Sequence, residues 1–275
     1  MTTTDGSLRK LHDALEARDG VGWGAYGPAW LRRRLGGLVH DEGVPDVERL
    51  AERALGSPEV LDRVRVGVAR RETAMFGAPG DLRALRRLVL PLLRTYPTVR
   101  IWHPACGTGE EAYGTAIALH EEGLLGRCEI YATDACEEAL ASATSGDYPR
   151  EDLERQAASY AAAGGRSAFE EYFVVDGERA RMRPLLRERV VGFAHDLAGG
   201  DASFHEFQLI VCRDVLLRYN GTAQARAWRA IDDSVGRRGV VAVGAAESMR
   251  HNPSRTRYER LDTGEAVGRL YRRLS

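Results

Sequence analysis

Cysteine is scarce in this chain. Cys106, Cys128, Cys136 and Cys212 are its four, and no two stand at CxxC spacing. That excludes a disulfide framework and the paired-ligand grammar of structural zinc, and it fits reduced thiols. His103 lies three residues before Cys106, but no second ligand pair accompanies it, so no metal is expected. Long apolar runs are missing too. None approaches the ~18 residues that a membrane helix needs. The opening Met1-Thr2-Thr3-Thr4-Asp5 is polar, with no charged-then-apolar leader behind it. The expectation is a cytoplasmic protein with no membrane insertion. Net charge is almost absent: 39 basic against 40 acidic residues leave -1, so nothing global points to nucleic acid. Lysine is confined to Lys10, a usage that reflects genome composition more than chemistry.

What is present divides into two parts. The 275 residues, 44% hydrophobic, suffice for one large domain or for a small one plus a medium one. Residues 1–100 carry 17 basic and 13 acidic side chains, a balance of +4; the rest carry 22 and 27, a balance of -5. The front reads as helices. Leu8, Leu11 and Leu15 share one face. A helix begins at Pro28 and stops at Gly43, Asp46 caps the next one, which ends at Gly56, and another runs from about Pro58 to Arg71. A further helix carries Leu82, Leu85, Leu88 and Leu92, with a kink or break at Pro91.

After Pro97 short apolar runs alternate with helical ones. "TVRIW", "CEIYATD", "RVVGFAHDL", "FQLIVCRDVL" and "GVVAVGAAE" read as strands of a mostly parallel sheet covered on both faces. The end reads as a closing hairpin turning at Asp262-Thr263-Gly264. The fold class is therefore α/β. We divide it at residues 1–95, a helical N-terminal domain with linker helix, and 96–275, a Rossmann-like domain. A small antiparallel β insert is placed at about 172–190, around the Asp176-Gly177 turn.

The first strand runs into Cys106-Gly107-Thr108-Gly109-Glu110-Glu111. Such a strand–turn–helix unit is where open α/β sheets bind ligands. Glycines let the backbone approach closely, but no Gly-Lys-Ser/Thr follows, so a P-loop is excluded. Acids at the helix start would repel a pyrophosphate, although they also steady the helix dipole by ~0.3–1 kcal/mol. S-adenosylmethionine fits better: it carries an ammonium and a sulfonium and no phosphate. Its ribose needs an acid at the end of the second strand, and Asp134 stands there, 25 positions after Gly109.

These residues resemble the chemotaxis-receptor methyltransferase (CheR) family. The family's tryptophan, small turn and Thr-Gly-Glu-Glu-Pro-Tyr are similar to Trp102 and Ala105 to Tyr113. Its Thr-Asp matches Thr133-Asp134, its Phe-x-x-His-Asn-Leu looks like Phe193 to Leu197, and its Cys-Arg-Asn-Val looks like Cys212 to Val215. Its late serine–glutamate pair has an echo in Glu247-Ser248, and its Thr-x-Phe-Phe-Arg looks like Thr73 to Gly77. The resemblance covers nearly the whole chain. It implies a class I methyltransferase sheet and transfer of a methyl group to a carboxylate, with S-adenosyl-L-methionine as cofactor. It implies that Glu110 holds the ammonium, Asp134 the ribose and Asp196 the adenine edge. Leu197 would add a backbone contact, with Ala105, Gly107, Thr108 and Gly109 forming the turn and Arg213 lining the methyl-transfer cleft.

The chain departs from the family where the acceptor is held. The arginine closing Thr-x-Phe-Phe-Arg is Gly77, the opening asparagine of its wider form is Arg71, and a tyrosine after Cys-Arg-Asn-Val is Arg218, followed by Tyr219. Asp196 and Asp214 stand for asparagines. An anionic acceptor still needs a cation, which leaves Arg71, Arg213 or Arg218, with Tyr219 beside them, to serve. A carboxylate acceptor is already ionised, so no base is required; a hydroxyl would call on His103, His195 or Asp214. The acceptor is either an acidic protein segment or a small carboxylate. A cofactor-binding regulatory module without turnover is the alternative from another class.

Overall fold

Residues Val99–Pro104 (β1) are buried at every position except Arg100, as a strand must be when helices cover both faces of a parallel sheet. The computed structural model describes residues 9–15, 17, 23–69, 74–200, 206–264 and 268–274. Nine further strands follow: Cys128–Asp134 (β2), Asp147–Pro149 (β3), Phe173–Asp176 (β4), Arg179–Met182 (β5), Val190–Ala194 (β6), Phe207–Cys212 (β7), Val235–Val243 (β8), Tyr258–Leu261 (β9) and Arg269–Arg273 (β10).

Seven strands form one sheet in the order β6-β2-β1-β7-β8-β10-β9. β6, β2, β1, β7 and β8 pair in parallel, and β10 is antiparallel to both its neighbours. This is the α/β class expected from the sequence. The chain works outward from β1 through β2 to β6, then returns to the other side of β1 for β7 and β8. The strand order therefore reverses between β1 and β7. A ligand crevice belongs beyond the carboxyl ends of those two strands.

The alternation of side chains along each strand splits the core in two. Ile101, Leu209, Val211 and Val240 pack on one face against Ala112, Ala116 and Ile117 of the helix Glu110–Glu121. Trp102, Ile210, Cys212 and Val241 pack on the other against Ala227, Trp228 and Ile231 of the helix Gly221–Ser234.

The front segment builds a third core from Leu11, Leu15, Leu35, Leu50, Ala51, Val64 and Val68. Leu8 lies outside the described residues. Helices run over Pro28–Asp41, Val47–Gly56 and Pro58–Ala69. The Asp46 carboxylate accepts the Arg49 amide at 2.8 Å, which is the cap its position implies. Pro91 does not break its helix. A π turn at Leu85–Val89 joins Pro79–Ala84 to Leu90–Leu93, and the Leu90 amide reaches back to the Leu85 carbonyl. The widened turn relieves the clash a proline ring makes with the preceding turn.

The antiparallel insert differs from its expected span. Its hairpin is β4 and β5, turning at Gly177 with φ +58°, and β3 adds a third strand in the order β3-β5-β4. Residues Pro184–Arg187 are a helical turn, and Val190 already belongs to the main sheet. Asp147 pairs with Arg181, a contact too distant in sequence for local pattern to reveal. At the other end β9 and β10 form the closing hairpin, with the Gly264 amide donating to Asp262 at 3.0 Å.

Candidate functional site

The turn after β1 is built from left-handed backbone: Ala105 has φ +49°, Gly107 +59° and Gly109 +89°. The Cys106 amide donates to the Thr133 carbonyl at 2.9 Å, carrying the β1–β2 pairing into the turn. A side chain on Gly109 would stand 2.6 Å from the Ala143 Cβ, so only glycine fits at this helix start. The Thr108 hydroxyl lies 2.8 and 2.7 Å from the two Glu110 oxygens, and the Tyr148 hydroxyl donates to the Thr108 carbonyl at 2.8 Å. Glu110 is thus steadied, half-buried, at the mouth of the turn. Burial pushes the Tyr148 phenol well above its ordinary range, and the Glu110 charge adds to it.

Asp134 ends β2 and is 9% exposed. Its carboxylate accepts the Gly107 amide at 2.8 Å and the Cys136 amide at 2.9 Å. It therefore braces the turn, whatever else it binds. Ala194 of β6 pairs with Asp134, and the His195 amide donates to the Asp134 carbonyl at 3.1 Å. Asp196 follows, half-buried, its carboxylate accepting the Ala198 amide at 2.9 Å. Leu197 beside it is buried. The structure thus brings Ala105, Gly107, Thr108, Gly109, Glu110, Asp134, Asp196 and Leu197 to the carboxyl edge of three adjacent strands.

Arg213 is arranged otherwise than expected. Its side chain is 6% exposed and held by two carboxylates, donating from Nη1 to Asp81 at 2.8 Å and from Nε to Glu111. Burial works to lower its pKa; Glu111 and Asp81 outweigh that and hold it above the ordinary arginine value. Asp81 also accepts the Gly268 amide at 2.6 Å, and His103 Nδ1 lies 4.0 Å from Glu111. A buried guanidinium bound by the buried Glu111 and the half-buried Asp81 has its charge already balanced, so it is a poor clamp for a third acid. A side chain built on Gly77 would begin 3.9 Å from Arg213 Nη2, so this cluster backs the loop that lacks the family's arginine. Arg71 and Thr73 lie outside the described residues.

Arg218 is half-buried at the other side of the crevice. Its Nε donates to the Asp214 carbonyl at 3.2 Å and its guanidinium carbon lies 5.6 Å from the centre of the Trp30 ring. Tyr219 is buried, its ring 5.8 Å from Tyr26. Burial, with the Tyr26 and Asp196 charges adding, pushes its phenol well above the usual range, so it stays neutral.

Sequence reading missed three contributors. Tyr26 and Trp30 stack at 4.9 Å and reach the crevice from the front segment, and only the preference of helices for proline at their start marked their neighbourhood. Glu247, read only as a family echo, accepts the amides of Gly244, Asp214 and Leu216 at 2.7 to 2.8 Å, tying the loop after β7 to the loop after β8. Burial raises its carboxyl above the ordinary value despite those amides. Among the described residues, no cluster of three or more His, Cys, Asp or Glu side chains is suited to a metal, and no helix is long and apolar enough to cross a membrane.

Comparison with known proteins adds to this geometry. A family model described as "CheR methyltransferase, SAM binding domain" matches residues 71–264. The Pseudomonas putida protein named "Putative methyltransferase Cher3" is 35% identical over 258 residues, covering 94% of each chain. "Chemotaxis protein methyltransferase 1" of Pseudomonas aeruginosa is 25% identical over 264 residues, 92% of this chain and 94% of the other.

Proposed function

The chain belongs to the CheR methyltransferase family, and from that premise we propose that it methylates a carboxylate oxygen on an acidic protein segment, forming a methyl ester. It is an S-adenosylmethionine-dependent methyltransferase. The residues at the turn after β1 and the end of β2 fit that cofactor: Asp134 and Glu110 stand beside the neutral groups of Gly107 and Thr108. Glu110 would take the ammonium and Asp134 the ribose hydroxyls. Asp134 gives two amide contacts, and an ionised carboxylate accepts about four hydrogen bonds in all. Asp196 would accept from the adenine amino group. When bound, the cofactor supplies a methyl group on a sulfonium that departs as a neutral thioether.

The observation that carries the acceptor assignment is Arg218 beside Trp30, where the family has tyrosine. Arg213 has its charge balanced by Glu111 and Asp81. Among the described residues, Arg218 is then the candidate cation to orient an incoming carboxylate. That acceptor is ionised at neutral pH, so the chain needs no general base, and alignment supplies most of the rate. A protein acceptor is favoured over a small one by the helix that carries Trp30. Arg34 there donates to the Gly67 carbonyl at 2.7 Å, and Arg33 of the same helix is exposed at the front.

The test is transfer of a labelled methyl group from the cofactor to glutamate-rich receptor fragments and, separately, to small carboxylates. Label on the protein that mild alkali releases as methanol supports the reading. Label only on the small carboxylates, or label stable to alkali, overturns it. Cofactor binding with no transfer to any acceptor would favour the regulatory module, a reading that Gly77 and the neutralised Arg213 motivate.

A further inference from the structure

Residues Gly24 to Gly27 precede the helix Pro28–Asp41, yet they bond to the loop after β7. The Gly27 amide donates to the Arg218 carbonyl at 2.6 Å, the Asn220 amide to the Ala25 carbonyl at 2.7 Å, and the Asn220 side chain to the Gly24 carbonyl at 2.6 Å. Tyr26 and Tyr219 form an antiparallel bridge. The segment, a 3-10 turn at Trp23–Ala25 followed by Tyr26 in the bridge, is thus a strap at the carboxyl end of the sheet. The Tyr26 ring stacks on Trp30 with 16° between planes and meets Tyr219 at 5.8 Å.

We propose that Tyr26 is a cofactor-binding residue, delivered by the front segment rather than by the sheet, that closes over the adenosine half of S-adenosylmethionine between Asp134 and Asp196. The inference rests on the reading of Asp134 and Asp196 as the ribose and adenine contacts. The backbone bonds to Arg218 and Asn220 and the bridge to Tyr219 set Tyr26 against the loop after β7, and the charges of Arg218, of Asp134 at the end of β2 and of Asp196 after β6 act on its phenol. A tyrosine that served only to pin the strap would need its backbone bonds and its aromatic neighbours, and nothing more. Adenosine asks for what this position adds: an aromatic face for the base and a neutral hydroxyl near the sugar. Burial, the largest cause, together with the nearby acids lifts the phenol to about 12, so it remains a hydrogen-bond donor at any working pH. The strap also explains why a helical front is joined to the sheet at this edge: cofactor binding and docking of the front segment become one event.

The test measures binding of two ligands to the full chain by calorimetry: adenosylhomocysteine, and methylthioadenosine, which lacks the amino-acid half. Tyr26→Ala should weaken both by the same factor, at least ~10-fold, and Tyr26→Phe, which keeps the ring, by ~3-fold or more. Glu110→Gln should weaken adenosylhomocysteine alone. Melting curves of the ligand-free variants report folding; if Tyr26→Ala fails to fold, Tyr26→Phe decides. Unchanged affinity for both ligands in a folded Tyr26 variant overturns the inference, as does a variant that binds normally and raises only the acceptor KM. Asp134→Ala separates the two levels. If it binds normally, the reading of the cofactor site itself fails. If it loses binding while the Tyr26 variants keep it, only the present inference falls.

Discussion

Arg213 Nη1 stands 2.8 Å from Asp81 Oδ2, joining the end of β7 to the helix Pro79–Ala84 across 132 positions of sequence. Glu111 completes the cluster through Arg213 Nε, and Gly268 joins it through Asp81. A buried base held by one buried and one half-buried acid is stable only together with them. Arg213→Ala should therefore cost ~3–5 kcal/mol, because it strands both carboxylates. Arg213→Lys, with a point charge in place of a fork, should recover part of that. Urea unfolding measures both. An Arg213→Ala protein with unchanged stability and lost transfer would instead return this side chain to the methyl-transfer cleft.

Arg218 carries the complementary prediction. Arg218→Ala should leave adenosylhomocysteine affinity unchanged and lower kcat/KM for the acceptor by ~10²–10³-fold. Steady-state transfer assays with calorimetry check it. An equal loss of cofactor binding would place Arg218 at the cofactor rather than at the acceptor.

Gly114 lies where the loop before Pro79 crosses the helix Glu110–Glu121. A Cβ there would meet the Met75 carbonyl oxygen at 2.0 Å. Gly114→Ala should displace the Met75–Gly77 loop and destabilise the fold by ~1–3 kcal/mol, as overpacking does. Thermal melting tests it; an unshifted transition would show that the loop yields freely.

Glu121 ends that same helix and ties the insert to it, accepting from Arg86, Tyr160, Tyr172 and the Arg166 amide. Burial pushes its carboxyl up, but Tyr160, the Arg166 amide and Arg86 outweigh burial and hold it below 4.5. A carboxyl depressed in the folded state adds stability above its unfolded pKa. That stability is lost as pH falls through the folded value. The loss should begin near pH 4.5 and deepen below it. Glu121→Gln should lower the melting temperature at neutral pH and flatten its fall in acid. An acid slope identical to that of the parent protein would contradict this.

What the sequence revealed was local. The Asp46 cap, the Gly107 and Gly109 turn and the acid at the end of β2 are each set by a few neighbouring residues, and their chemistry follows from spacing. What it hid was distant. Arg213 is separated from Glu111 by 102 positions, and no pattern along the chain distinguishes a buried ion pair from an open cleft. Asp147 pairs across to Arg181. Tyr26 is drawn to the site by backbone bonds to Arg218 and Asn220, which carry no side-chain signature. The π turn ahead of Pro91 was legible only as a disturbance, because the sequence names the proline and not the way the helix absorbs it.

The most direct measurement is a crystal structure of the protein with adenosylhomocysteine. The account predicts the ribose on Asp134, the amino group on Glu110, the adenine between Asp196 and Tyr26, and the sulfur open toward Arg218. A ligand whose sulfur faces the Arg213–Asp81–Glu111 cluster, or one that lies away from the β1–β7 crevice, would contradict it.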